Sequence, residues 1–124
     1  MTPNRIREQI KKAVFCWQTG DAEGFASLFT LDGEFIDPQQ QWFGQSSIRN
    51  AVARFAQTNC QVKFSIRRIL IDGNVAAIER SRENEEQTSD LPSSEDFIVV
   101  DFRNGQISRW REYLDAKNWL KVLK

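Results

Sequence analysis

Apolar residues recur in this chain first every three to four positions and later every second position, which divides it into a helical opening and a sheet-forming remainder. Ile6, Ile10, Ala13, Val14 and Trp17 lie on one helical stripe, with Thr2 and Pro3 as cap and first residue and Gly20 as the stop. Asp21 caps a second short helix carrying Phe25, Leu28 and Phe29. Asp32 and Gly33 then read as a turn into a strand from about Glu34 to Asp37, ended by Pro38. A loop through Gln39, Gln40, Gln41, Trp42 and Phe43 reaches Gly44, and Ser46 caps a third helix with Ile48, Ala51, Val52, Phe55 and Ala56 on one face. From Gln61 the period is two: Val62, Phe64, Ile66 and Leu70 alternate with polar residues up to the hairpin signal Asp72-Gly73-Asn74. The return strand runs from about Val75 to Glu85. A polar, acidic stretch with Pro92 forms a long connection to strands Glu95 to Arg103 and Gln106 to Asp115, which Asn104-Gly105 joins in a tight hairpin. Trp119, Leu120 and Leu123 suggest a short closing helix.

Strand parity exposes an anomaly. Asp96, Ile98, Val100 and Phe102 share one face, as do Ala76, Ile78, Arg80 and Arg82, and Trp110, Glu112 and Leu114. These are the inward rows, so two cations and two anions stand where a core is expected. Buried charge is costly unless paired or used, and the pattern predicts a polar-floored cavity in a curved sheet, able to take a small molecule. Arg109, Arg111 and Tyr113 have the opposite parity. With Ile69, Ile71, Phe97 and Val99 they are expected on an outer face, where exposed apolar surface predicts a homodimer interface. Trp17 and Phe55 fit either core packing or a pocket wall, whereas Trp42 and Phe43 sit on a loop suited to its mouth.

Composition narrows the chemistry. The 124 residues suit a single domain spanning 1–124, and 17 basic residues balance 17 acidic ones without a basic stripe, which disfavours nucleic acid as a partner. No run approaches the roughly 20 apolar residues of a membrane span, and the N-terminus opens into an amphipathic helix, so a cytoplasmic protein without a membrane partner is expected. Cys16 and Cys60 lie far apart with no CxxC pairing and are expected as free thiols. Histidine is absent, which removes Ser-His-Asp and Cys-His catalysis and His-ligated zinc, and leaves carboxylates as the default proton carriers. No glycine-rich phosphate loop or metal-ligand cluster is evident, so no cofactor and no metal are expected.

Helices first and an antiparallel meander afterwards give an α+β class. The order of Gly20-Asp21, Phe35-Ile36-Asp37-Pro38, Gly44 before a helix with Ile48 and Phe55, and the closing run Gly105 to Asp115 resembles the nuclear transport factor 2-like superfamily, in its SnoaL-like branch. The resemblance covers nearly the whole chain. It implies a cone-shaped barrel in which a strongly curved, mostly antiparallel sheet wraps three N-terminal helices, commonly as a homodimer. The fold hosts isomerases, cyclases, dehydratases, epoxide hydrolases and non-catalytic binders alike.

Asp37 stands where the resemblance places the general base of ketosteroid isomerases, with Asp96 near the second oxyanion donor; Ala13 falls where the first donor, a tyrosine, belongs. Compared with limonene epoxide hydrolases, Arg80 matches the bridging arginine and Glu112 one carboxylate, while Arg82, Phe35 and Asp37 replace the second carboxylate, a tyrosine and an asparagine. The expected catalytic set is therefore Asp37, Arg80 and Glu112, with Trp17, Phe35, Trp42, Phe55, Arg82, Asp96 and Trp110 as ligand contacts. Two functions stay open: cofactor-independent acid/base catalysis on a small, largely apolar molecule, and a non-catalytic binding or assembly module whose charges form a structural ion network. Asp37 has a plainer reading too, as the residue that closes the turn before Pro38.

Overall fold

The computed structural model describes residues 1–58, 62–84 and 94–114. Cys60, the acidic Glu85-Glu86 pair, Pro92 and the expected closing helix with Trp119, Leu120 and Leu123 lie outside them. The elements are α1 (Pro3–Thr19), α2 (Ala22–Ser27), β1 (Phe29–Ile36), β2 (Gln41–Phe43), α3 (Gln45–Thr58), β3 (Val62–Asp72), β4 (Val75–Asn84), β5 (Ser94–Arg103) and β6 (Gln106–Leu114). The strands form one curved sheet in the order β2-β1-β6-β5-β4-β3, and the helices pack on its inner face. Every neighbouring pair is antiparallel except β1 with β6.

The helices end as their caps dictate. Thr2 Oγ1 accepts from the Arg5 amide at 3.2 Å, and Asp21 Oδ1 accepts from the Gly24 amide at 2.9 Å, each satisfying a donor that helical bonding leaves orphaned. Gly20 closes α1 at φ 74°, and a Cβ there would stand 3.0 Å from that of Ala56 on α3. That position needs glycine both for its left-handed backbone and for the close helix approach. Cys16, on the buried face of α1, is a free thiol; burial raises its pKa and the nearby Asp21 carboxylate adds to the effect.

β1 begins earlier than its turn signal suggests. Phe29 and Thr30 enter the sheet, Asp32 and Gly33 lie within the strand, and the signal marks a register shift between the pairs Phe29–Ile107 and Glu34–Arg109. Turn-forming residues here produce an irregularity inside a strand, because Phe29 is drawn in by burial and by Ile107 donating to the Leu28 carbonyl at 2.8 Å. The expected loop before Gly44 contains the three-residue strand β2, too short to show a period. It pairs Trp42 with Phe35 on the inner face and leaves Phe43 exposed.

Two bulges set the parity of the sheet, and the first corrects the parity read from the sequence. On β3, Ile66 pairs with Arg80 but Arg68 pairs with Glu79, leaving Arg67 as the extra residue. Beyond Arg67 the side chains exchange faces: Ile69 and Ile71, expected on the outer face, pack against the core, while Leu70 is turned out and is 57% exposed. Strict alternation cannot reveal this, because Ile69, Leu70 and Ile71 are all apolar and fit either phase. On β6 the extra residue is Ser108, whose hydroxyl donates to the Asp101 carbonyl at 3.1 Å, and Ile107 and Trp110 can thereby both face the core. No helix among the described residues is long and apolar enough to cross a membrane.

The bulge assigns Arg67 a register role separate from its side chain, which pairs with Glu95. Deleting Arg67 returns Ile69 and Ile71 to the solvent face and is expected to cost about 3 kcal/mol or more. Arg67→Ala, which keeps the residue count and loses only an exposed ion pair, is expected to cost less than about 1 kcal/mol. Urea denaturation of both variants measures the difference.

Candidate functional site

Three adjacent strands build the polar centre. Arg80 on β4 lies directly opposite Asp96 on β5, and Glu112 on β6 lies opposite Ile98, two residues along the same face from Asp96. Arg80 follows Ile78, Glu112 follows Trp110 and Asp96 precedes Ile98 in their inward rows, so the strand pleat carries them into the interior. Arg80 is 3% exposed and Asp96 2%, and the guanidinium meets the carboxylate as a fork: Nε to Oδ1 at 3.0 Å and Nη2 to Oδ2 at 2.7 Å. Nη2 also lies 3.3 Å from Glu112 Oε1, and Glu112 Oε2 accepts from the Trp110 indole at 3.0 Å.

The electrostatics follow from this packing. Burial alone would lower the Arg80 pKa, but the Glu112 charge and the Asp96 hydrogen bonds outweigh it and carry the pKa above the ordinary guanidinium value. Arg80 is therefore a fixed cation at every pH at which the protein folds. The Phe64 ring lies under it, 4.5 Å from Cζ to the ring centroid, adding a cation–π contact on its face. Among the described residues one cation thus meets two carboxyl groups. Glu112 is the carboxyl group with access, its side chain being 13% exposed against 2% for Asp96.

Aromatic side chains join the two sides of this cluster in a closed circuit. From Phe64 the contacts run to Phe55 (centroids 6.1 Å apart), Trp17 (4.7 Å), Phe35 (5.4 Å, stacked at 6°) and Trp110 (6.3 Å, stacked at 10°), whose indole returns to Glu112. Trp42 joins the circuit through Phe35 at 5.4 Å. Phe35 and Trp110 are buried, while Trp17, Trp42 and Phe55 are only partly so. The circuit spans both halves of the fold because Gln18, next to Trp17, accepts from the Phe64 amide at 2.6 Å and ties the end of α1 to the start of β3.

Of the residues expected from the sequence, the structure brings Arg80, Asp96 and Glu112 into direct contact, and Trp17, Phe35, Trp42, Phe55 and Trp110 into the adjoining aromatic set. Asp37 is engaged in its own turn. It follows Ile36, which pairs with Arg111, and so lies at the strand end beside Glu112's position on β6. Its Oδ1 accepts the Gln39 and Gln40 amides at 2.7 Å each, closing the turn, and among the described residues it forms no ion pair with Arg80. Arg82 pairs through its backbone with Phe64 and Ser94, and its side chain lies outside the described part of the structure. Phe64 was not foreseen as a partner of Arg80. Its place in the inward row of β3, just before the bulge, is the signal that could have found it. Among the described residues no group of three or more acidic or cysteine side chains is arranged to hold a metal ion.

Residues 10–110 match the model of the SnoaL-like domain. A protein of ketosteroid isomerase-like fold from Catenulispora acidiphila, crystallised in complex with trimethylamine, superposes with a TM-score of 0.79 at 18% identity over 98% of this chain and 92% of that one. A protein of cystatin-like fold from Methylobium petroleophilum gives 0.79 at 16% identity, covering 92% and 78%. TerC, co-crystallised with polyporic acid, gives 0.78 at 16% identity, covering 96% and 98%. At these identities the likeness establishes the fold. No curated protein matches the sequence. The matched span covers most of the chain and includes Arg80, Asp96 and the aromatic circuit, and the chain belongs to the SnoaL-like domain family.

Proposed function

We propose that this protein binds a small, largely apolar organic molecule within its curved sheet, and that Glu112 exchanges a proton with it without a cofactor. The observation that carries this reading is Glu112 itself: both oxygens are held, by Arg80 and by Trp110, yet it is the more accessible of the two carboxyl groups that Arg80 engages. Arg80, fixed by Asp96, orients it. Asp37 is the candidate second carboxylate, its orientation set by the two turn amides. Trp17, Phe35, Trp42, Phe55, Trp110, Asp96 and Arg82 are the candidate ligand contacts. Complexes of two related folds with trimethylamine and with polyporic acid support a small organic ligand.

A second reading keeps the binding site and drops the chemistry. The engagement of Asp37 in its turn favours it, as do Ala13 and Phe35 at positions where enzymes of this fold place polar groups. Cyclic ketones and epoxides are the compounds to assay. Under the first reading a member of this set is converted, and Glu112→Gln lowers turnover by about 100-fold or more while leaving the fold intact. Saturable thermal stabilisation with the compound recovered unchanged supports the second.

The ion cluster gives a stability test that separates function from folding. Arg80→Leu leaves two carboxyl groups without their cation and is expected to cost about 3–5 kcal/mol. The triple variant Arg80→Leu, Asp96→Leu, Glu112→Leu is expected to recover most of that loss, because apolar residues of similar volume replace buried ion clusters without penalty. Denaturant unfolding compares them.

The outer sheet face supports a homodimer. Leu70 is 57%, Phe97 48% and Tyr113 47% exposed. Phe97 lies opposite Tyr113, and Leu70 continues through Ala77 to Val99 across three strands, giving a connected apolar surface. The ion pairs Arg109–Glu34 and Arg111–Asp101 lie beside it. Sedimentation velocity is expected to show a dimer that Leu70→Glu with Phe97→Glu converts to a folded monomer. A monomeric wild-type protein would exclude this arrangement.

A further inference from the structure

The described cations of this protein are used in two different ways. In the strands, Arg67, Arg68, Arg80, Arg103, Arg109 and Arg111 each meet a carboxylate. On α1, Arg5, Arg7, Lys11 and Lys12 are exposed and meet none among the described residues. Glu8 is the sole acid of α1, and its spacing of three or four residues from Arg5, Lys11 and Lys12 suits helical ion pairing, yet it pairs with none of them. A chain whose formal charge sums to zero thus gathers unpaired positive charge on one helix.

Phe15 stands among these cations. Ile6, Ile10, Ala13 and Cys16 bury the inner side of α1, while Arg7, Lys11 and Phe15 follow at four-residue intervals along its outward side. Phe15 is 67% exposed, packs against no other described ring and has no place in the core. Beyond the last turn of α1, where Gln18 accepts from the Phe64 amide, the exposed Lys63 prolongs the positive face. Core packing does not explain an aromatic side chain in this setting.

The geometry points to the outward face of α1 as a peripheral, reversible contact with an anionic phospholipid surface, the Phe15 ring entering at headgroup level and the flanking cations reaching lipid phosphates. The cations are spread along a helix about 25 Å long instead of converging on one point, which matches a plane of negative charge and not a single phosphate group. A lone aromatic ring is too little for a protein interface of about 800 Å² per partner, and lysines are depleted at such interfaces. At a bilayer surface the same combination is favourable, because lysine and arginine stems lie along apolar material while their charged ends stay in water. The contact needs no spanning segment, and the expectation of no membrane partner rests only on the absence of one. This face turns away from the sheet, so a second copy on the outer sheet face leaves it open. The inference is independent of the ligand site proposed above.

The test mixes the full chain at low ionic strength with vesicles of phosphatidylglycerol and phosphatidylcholine in equal parts, and with vesicles of phosphatidylcholine alone, and reads bound protein by sedimentation. Binding is expected to the anionic vesicles only, and to be lost at ~1 M salt, where the screening length falls to about 3 Å. Lys11→Gln with Lys12→Gln is expected to weaken it about 30-fold, the worth of two basic residues at such a surface. Phe15→Ser is expected to weaken it about fivefold, and both variants, changed only at exposed positions, to keep the wild-type circular dichroism. Should the double variant unfold, the two single lysine variants, each expected to cost about fivefold, replace it. Arg67→Gln with Arg103→Gln removes the same charge from the sheet and is expected to leave binding within about twofold of wild type. Absence of binding to anionic vesicles, equal binding to neutral ones, or an equal loss in the sheet variant would overturn the inference. A DNA duplex bound as tightly as the vesicles, with no effect of Phe15→Ser, would mark a general polyanion surface and overturn the lipid assignment.

Discussion

Burying Arg80 is the constraint on which the arrangement of this protein turns. A guanidinium at 3% exposure requires anionic partners within the fold, and it receives them from two different strands: Asp96 across the β4–β5 ladder and Glu112 from β6. The pairing fixes register over three strands at once, since a slip of one residue in any of them would turn a charged side chain outward and leave the others unbalanced. The same rows deliver Ile78, Ile98 and Val100 to the core, all fully buried, so apolar and ionic requirements agree on a single register.

The helices meet this centre through aromatic side chains. Phe64 contacts the guanidinium from one side and Trp110 holds Glu112 from the other, and Trp17 joins them by way of Phe55 and Phe35. A position on α1 is thereby coupled to charges on β4 and β6. The Gln18 carbonyl oxygen on the Phe64 amide fixes the distance between helix and sheet where that coupling passes. The glycine at position 20 then lets the chain leave α1 in a left-handed turn close against α3, so the capping chemistry of one helix positions the wall of the candidate site.

How far the sequence reveals this depends on whether a residue's setting is local or comes from pairing. Helix stripes and caps are local, and Thr2, Gly20 and Asp21 act as their types require. The charged inward positions Arg80, Asp96 and Glu112 are legible because alternation places each among apolar neighbours over a short, regular run. Ile69 and Ile71 are not legible. The bulge at Arg67 is set by how β3 meets β4, and an unbroken apolar triplet contains no phase information. β1 shows the same difficulty from the other direction: Asp32-Gly33 has turn chemistry, but the partner strand and the burial of Phe29 decide that it is a strand with an irregularity. Trp110 and Glu112 share a face by simple parity, whereas the setting of the Trp17 nitrogen, which has no hydrogen-bond partner among the described residues, depends on which rings surround it, and no sequence period encodes that.

Stability alone does not account for the cluster. An ion triad in the interior is often matched or exceeded by apolar residues of equal volume, because desolvation offsets most of its Coulombic gain. Here the cost is compounded: among the described residues one cation is shared between two carboxyl groups, and the less buried of these takes a further donor from the core tryptophan Trp110. Asp96 satisfies Arg80 with two hydrogen bonds of good length, so a purely structural solution was complete without Glu112. The added carboxyl group makes sense where a proton, or a polar edge of a ligand, must be held against an otherwise apolar wall.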